Sequence, residues 1–324
     1  MTSVASPLVW ALFAGVILSI LAVDLGVFNR TAHKVTLKAA SIWVLVWVGF
    51  AVAFNAFVFY RFGSTRGLNF LQAYLLEQAL SVDNVFVFIL VFSYFRVPEQ
   101  YQHRVLFWGV VGAAITRGIF VVAGVALLSR FHWLMYGLGL FLVVTAVKML
   151  LQKDEDLDPS KNAVLRLFRR LVPMTETYEG AKFVVRRQGR RLATPLLAVL
   201  VVVEATDVMF AVDSIPAVFG VTQDVFIVYT SNIFAILGLR SLFFLLVGLV
   251  EKLHLLKHGV ALILAFVGMK ILLAGVVPIS EGLSLAILAG ILILATIASF
   301  VFPAKAKPTA GPTDGSDTPA SGPS

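Results

Sequence analysis

Nine apolar runs, each near the roughly 20 residues that carry an α-helix across a bilayer, constrain this chain more than any other feature. They lie at about 7–28, 40–60, 68–95, 105–129, 132–151, 193–219, 226–250, 259–276 and 282–302. Inside hydrocarbon a backbone must satisfy its own N–H and C=O groups, so runs of this length read as helices. Composition agrees, with 59% of the 324 residues hydrophobic and 14% charged, where a soluble domain has about 25% charged. The fold class is therefore all-α, a polytopic membrane protein of about nine transmembrane helices. The first run lacks a basic leader and contains Asp24, which makes it a span rather than a signal peptide. The transmembrane domain fills residues 1–302, interrupted by a polar loop at 152–192. The tail 303–324, rich in Pro, Gly, Ser and Thr, reads as disordered.

The charged residues set an orientation. With the N-terminus outside, nineteen of the 26 Lys and Arg residues fall in inside loops, ten of them in loop 152–192, against Arg61, Arg66 and Arg130 outside. This is the bias expected of cytoplasmic loops. It places the C-terminus in the cytoplasm and explains the net charge of +8 by topology and lipid headgroups rather than nucleic acid. The absence of cysteine excludes disulfides, iron–sulfur clusters and thiolate metal sites. No Walker-type phosphate loop is present, and the reading is of a protein that is not an enzyme and needs no cofactor. His33, His103, His132, His254 and His258 fall in loops or at span ends, where solvated or interfacial roles are expected.

Ten ionisable residues remain inside the spans. Six are acids (Asp24, Glu77, Asp83, Glu204, Asp207, Asp213) and four are bases (Arg117, Lys148, Arg240, Lys270). A charge near the centre of a membrane helix costs about 3 kcal/mol, so six unpaired carboxylates would cost about 18 kcal/mol. Salt bridges to the four bases still leave two negative charges, which a bound cation or protons must neutralise.

The placement of these residues repeats. Shifting the sequence by 130 lays Glu77 on Asp207 and Asp83 on Asp213, with Asn84 and Ser214 following. Arg117 then answers Arg240, and Lys148 answers Lys270, so spans three to five (about 68–151) match spans six to eight (about 193–276). Three is odd, so the second copy enters from the opposite face, giving an inverted repeat of the kind that builds secondary transporters around a midplane site. Antiparallel packing of spans three and six predicts Glu77 opposite Asp213 and Asp83 opposite Asp207. Six helical residues advance about 9 Å, so Glu77 and Asp83 reach one small ion only if the helices are broken; otherwise there are two stations. Pro216 favours a break. Carboxylates, an amide and a hydroxyl, with no Cys and no intramembrane His, suit a hard cation such as Mn²⁺, Mg²⁺ or Ca²⁺.

The blocks LEQALSVDNVFVF, VEATDVMFAVDSIPAVF and SNIFAILGLRSLFF, with the nine-span layout, resemble the TerC family, in its Alx-like branch, within the LysE-type transporter superfamily. The resemblance covers about residues 7–302; no motif covers loop 152–192 or the tail. It implies a bacterial inner-membrane protein linked to Mn²⁺ export, with other members named for tellurite resistance. The family's acidic positions carry over to Asp24, Glu77, Asp83, Glu204, Asp207 and Asp213. Asp83 and Asp213 are expected to ligate the ion, with Asn84 and Ser214 beside them. Glu77, Asp207 and Glu204 are ligands or proton carriers, because Glu204 and Asp207 share a helix face and like charges there favour a proton on one of them. Asp24 is a ligand at the cytoplasmic side or an interfacial anchor. Arg117, Lys148, Arg240 and Lys270 are read as counter-ions, and Asn232 as a further amide ligand or a helix link. The function expected is outward transport of a divalent cation, most simply driven by proton antiport. An oxyanion exporter or a non-transporting assembly scaffold are the alternatives. The partners are the cation and the bilayer, with oligomeric state open.

Overall fold

The computed structural model describes residues 3–23, 36–131, 133–151, 167–168, 170, 172–187, 189–247, 255–274, 276–277 and 279–302, and within them all side chains except those of Leu21, Ala22, Val23, Asp83, Phe86 and Asp213. Asp24, the tail 303–324 and residues 152–166 of the loop lie outside the described residues. The helices are α1 (Pro7–Val23), α2 (Leu37–Phe62), α3 (Ser64–Tyr94), α4 (Glu99–Arg130), α5 (Leu134–Leu151), α6 (Pro195–Phe219), α7 (Val225–Val247), α8 (Leu256–Leu272) and α9 (Glu281–Val301).

Seven of these, α2 to α7 and α9, are long and apolar enough to cross a membrane. The remaining two, α1 and α8, have 17 residues each, slightly short of a full span. The long helices extend past the apolar runs because polar interfacial turns continue the same backbone hydrogen bonding; α4, for example, starts at Glu99, six residues before its run. Only Gly63, at φ 95°, separates α2 from α3, a conformation that side chains with a Cβ rarely adopt.

The most buried helices are α3 and α7, which pack on one another at the centre of the bundle. Around them, α4 packs on α6 and α7, α2 on α3 and α7, α5 along α8, and α9 against α3 and α8. Rings from four helices interlock on one side, with Phe54 4.9 Å from Phe234 and 5.3 Å from Phe70, and Trp10 5.1 Å from Phe226. Asp224 caps α7 by accepting from the Phe226 and Ile227 amides, while its other oxygen takes the Val4 amide at 2.8 Å. That one carboxylate ties the start of the chain to the central helix.

Two expectations change. Helix α6 is continuous through Pro216 to Phe219, so the break expected there is absent. Proline in the last turn removes one donor and leaves one carbonyl unbonded, which a helix end tolerates. The polar loop is not wholly irregular either. Its end forms a hairpin, β1 (Val184–Arg187) paired antiparallel with β2 (Arg190–Ala193), because Val185 and Ala193 are buried and give it an apolar base.

The tightest helix contact joins α5 to α8. A Cβ on Gly268 would lie 2.7 Å from the Gly139 carbonyl and 2.9 Å from Val143, so the two backbones touch as small residues allow in membranes. Gly268→Val is expected to destabilise the protein by about 1–3 kcal/mol, read as a lowered thermal midpoint in detergent. An unchanged midpoint would mean the helices separate freely.

Candidate functional site

The buried centre of the bundle holds one guanidinium and the groups that answer it. Arg117 on α4 reaches inward and is 1% exposed. Its Nη1 donates to Glu77 Oε2 on α3 at 2.6 Å and to Asn232 Oδ1 on α7 at 3.0 Å, and its Nη2 donates to Asp207 Oδ1 on α6 at 3.2 Å. Asn232 Nδ2 closes the ring by donating to Glu77 Oε1 at 2.7 Å. Four helices, α3, α4, α6 and α7, therefore meet in one network sealed from solvent. Local sequence explains the placement, since Thr206, Ser231 and Thr230 bond back to their own helices and leave the acids and the amide facing inward.

The network is incomplete. Two carboxylates share one cation, and neither Asp207 Oδ2 nor Arg117 Nε has a hydrogen-bond partner among the described residues. Ser214, buried at 2%, lies near Glu77, but its Oγ makes no hydrogen bond of good geometry among the described residues. Beside Asp207 lies a cavity of about 10 Å³ of water-sized space, lined by Asp207 and Arg240 with apolar walls from Phe88, Leu106, Val203 and Leu239. That is room for one water or one small ion.

The sequence-predicted residues distribute as follows. Glu77, Asp207, Asn232 and Arg117 are brought together, with Ser214 adjacent and Arg240 across the cavity. Glu77 and Asp207, placed at different levels by the antiparallel reading, instead share one guanidinium, because the arginine fork spans carboxylates from two helices. Asn84 is buried at 3% on α3. Glu204 is half-buried one helical turn from Asp207 and sits against Gly112, where any Cβ would overlap its carboxylate. Asp83 and Asp213 lie on α3 and α6, but their side chains, like Asp24, lie outside the described residues. Lys148 is exposed at the end of α5, away from this network. Lys270 is a counter-ion to a different acid: its Nζ is 3.3 Å from Glu281 on α9, which also receives Gln72 Nε2 at 2.9 Å. Sequence reasoning missed Glu281 because it precedes the ninth apolar run by one residue, and Gln72 because an uncharged amide raises no charge-balance question. Among the described residues no three His or acidic side chains converge as around a bound metal; Glu77 and Asp207 are held on Arg117 instead.

Comparison with known proteins follows the same residues. The description of the integral membrane protein TerC family matches residues 62–307. This chain belongs to the TerC family. A membrane protein of Myxococcus xanthus is 49% identical over 98% of both chains. Alx of Escherichia coli strain K12, named as a proposed membrane-bound redox modulator, is 45% identical over 92% of this chain and 95% of its own. A Rickettsia felis membrane protein is 37% identical over 90% of this chain and 97% of its own. No solved structure matches. The TerC match runs from the start of α3 beyond α9 and so includes every residue of the buried network.

Two substitutions probe this TerC site. Arg117→Met strands two buried carboxylates and is expected to cost about 3–5 kcal/mol, whereas adding Glu77→Gln and Asp207→Asn restores much of the thermal midpoint. A single variant as stable as the parent would show that the carboxylates do not depend on Arg117. Gly112→Ala is expected to push the Glu204 carboxylate aside at a stability cost below about 1 kcal/mol, so unchanged reactivity of Glu204 toward a carboxyl-modifying carbodiimide would refute the seat.

Proposed function

We propose that this TerC family member is a secondary transporter that moves a divalent cation, most simply Mn²⁺, from the cytoplasm outward through a bacterial inner membrane. The observation that carries the reading is the buried Glu77–Arg117–Asp207–Asn232 network, with an Asp207 oxygen that has no partner among the described residues beside a cavity of one-ion size. In this reading Arg117 holds the charge of the empty site. An arriving cation competes for the two carboxylates, with Asp83, Asp213, Asn84 and Ser214 extending the oxygen-rich set that suits hard ions. Continuous α3 and α6 favour two stations over one, since Glu77 and Asp83 are about 9 Å apart along the axis. Glu204 and Asp207, on one face of α6, are the groups for the proton that exchanges with the ion. The inside-negative potential opposes outward movement by about 2.3 kcal/mol per charge per 100 mV, so a coupled proton is needed.

Nine crossings and an inverted repeat belong to the same proposal. What supports the repeat is the main packing pattern, in which exchange of the triplets α3–α5 and α6–α8 carries the α3–α7 contact onto α4–α6, the α5–α6 contact onto α3–α8, and α5–α8 onto itself. Helices α1 and α8, though short, are apolar and would complete the count. The orientation follows the loop charges, with the N-terminus outside. No catalytic role is assigned.

An oxyanion cargo fits less well, because Arg117 is occupied by three acceptors. The redox role named for Alx would run through the transported ion, since a chain without cysteine cannot exchange thiols. Counterflow in proteoliposomes comparing Mn²⁺, Mg²⁺, Ca²⁺ and tellurite tests the assignment. Mn²⁺ is expected to move, and Asp83→Asn with Asp213→Asn is expected to abolish flux at normal abundance. If Mn²⁺ neither moves nor competes, the assignment fails; misassembly of the Asn variant would favour a scaffold.

A further inference from the structure

Four arginines sit at the tip of the β1–β2 hairpin, and the proposed transport cycle uses none of them. The register sets Arg186 opposite Arg191 and Arg187 opposite Arg190, and all four are exposed. Directly opposed residues stand about 5 Å apart, where like charges work against strand pairing. One acid answers the tip, Glu179, which pairs with Arg187. Arg186, Arg190 and Arg191 have no ion-pair partner among the described residues.

A hairpin that repels itself needs a firm base, and this one has it. Ala193 donates its amide to the Pro173 carbonyl at 2.9 Å and accepts from the Thr175 amide at 2.8 Å. Thr194, fully buried, donates Oγ1 to the Lys182 carbonyl at 2.6 Å and its amide to the Phe183 carbonyl at 2.9 Å. Tyr178 donates to the Phe95 carbonyl at the end of α3 at 2.8 Å, and Arg104 of α4 lies 5.3 Å over the Phe183 ring. The arginines are thus presented on a rigid support braced against α3 and α4, rather than carried on a mobile loop.

Position then selects the ligand. β2 runs through Thr194 directly into Pro195, the first residue of α6, so the base of the hairpin lies where a membrane helix begins. Four strand residues reach about 13 Å. The headgroup zone is about 5–8 Å deep on each side, and the screening length is about 8 Å at physiological salt. The tip therefore stays within electrostatic reach of the headgroups, and paired guanidinium forks match phosphate oxygens two at a time. We propose that Arg186, Arg187, Arg190 and Arg191 form a binding site for the phosphates of anionic phospholipids in the membrane that carries the chain. The strand fused to α6 ties that helix, which bears Glu204 and Asp207, to the bound lipid. This site does not depend on the identity of the cargo.

The test is thermal unfolding of the full chain in a neutral detergent, titrated with phosphatidylglycerol, phosphatidylcholine or inorganic phosphate. Phosphatidylglycerol is expected to raise the midpoint, and the other two are not. Arg186→Gln with Arg191→Gln relieves repulsion and so is compatible with folding, yet is expected to weaken the apparent lipid affinity on the order of tenfold; the matching Lys pair, which keeps the charge but not the fork, is expected to fall between. An equal response to inorganic phosphate, or an equal lipid response from the Gln variant, overturns the proposal. The chain's own acidic run, Asp154, Glu155, Asp156 and Asp158, lies outside the described residues and is the rival occupant. If only a variant with that run neutralised responds to lipid, the tip is already filled and the proposal fails.

Discussion

A guanidinium shared by two carboxylates in an interior closed to bulk solvent is the interaction on which the rest of this protein depends. None of the three charges could be buried alone, because moving an ion from water into the bundle costs several kcal/mol that only close partners offset. Arg117 therefore requires Glu77 and Asp207 at its two Nη atoms, and Asn232 fills the remaining position between Arg117 and Glu77. These four residues come from four helices. Their mutual need fixes how α3, α4, α6 and α7 sit, in an environment where apolar packing against lipid discriminates poorly between arrangements.

The same network leaves something undone. Among the described residues Asp207 keeps one oxygen without a partner, the Ser214 hydroxyl makes no hydrogen bond of good geometry, and a one-water cavity opens beside Arg240. Buried polar groups are ordinarily satisfied, and under the proposed function a small cation would complete this set. Under the proposed function the guanidinium is the resident that the cargo must displace from one or both carboxylates. Displacement requires Arg117 to keep a partner elsewhere or the helices around it to shift.

Much of the architecture was legible because the bilayer imposes simple rules. Helix positions followed from run length, and the importance of Glu77, Asp207 and Arg117 followed from the cost of charge in lipid. The sharing of Arg117 did not follow. Antiparallel matching set Glu77 and Asp207 at different levels, whereas the reach of an arginine side chain lets both meet one guanidinium; the side chain of Asp213, set against Glu77 by the repeat, lies outside the described residues. Pro216 looked like a helix break, but its place in the last turn of α6 made it harmless. Lys270 looked like a partner for the central acids, yet Glu281, one residue outside an apolar run, holds it. The hairpin was invisible for a related reason: its strands are four residues long and half arginine, and their pairing rests on Val185 and Ala193 finding an apolar base supplied by other parts of the chain.

The sequence by itself determined that this is a multi-helix membrane protein with six acids and four bases to account for, because solvation energy in a bilayer depends on residue type and depth alone. Tertiary structure decided which acid meets which base, where an oxygen is left unpaired, and which glycine makes room for Glu204. Those outcomes depend on side-chain reach and on the relative rotation of helices, and neither is encoded in the spacing of any one segment.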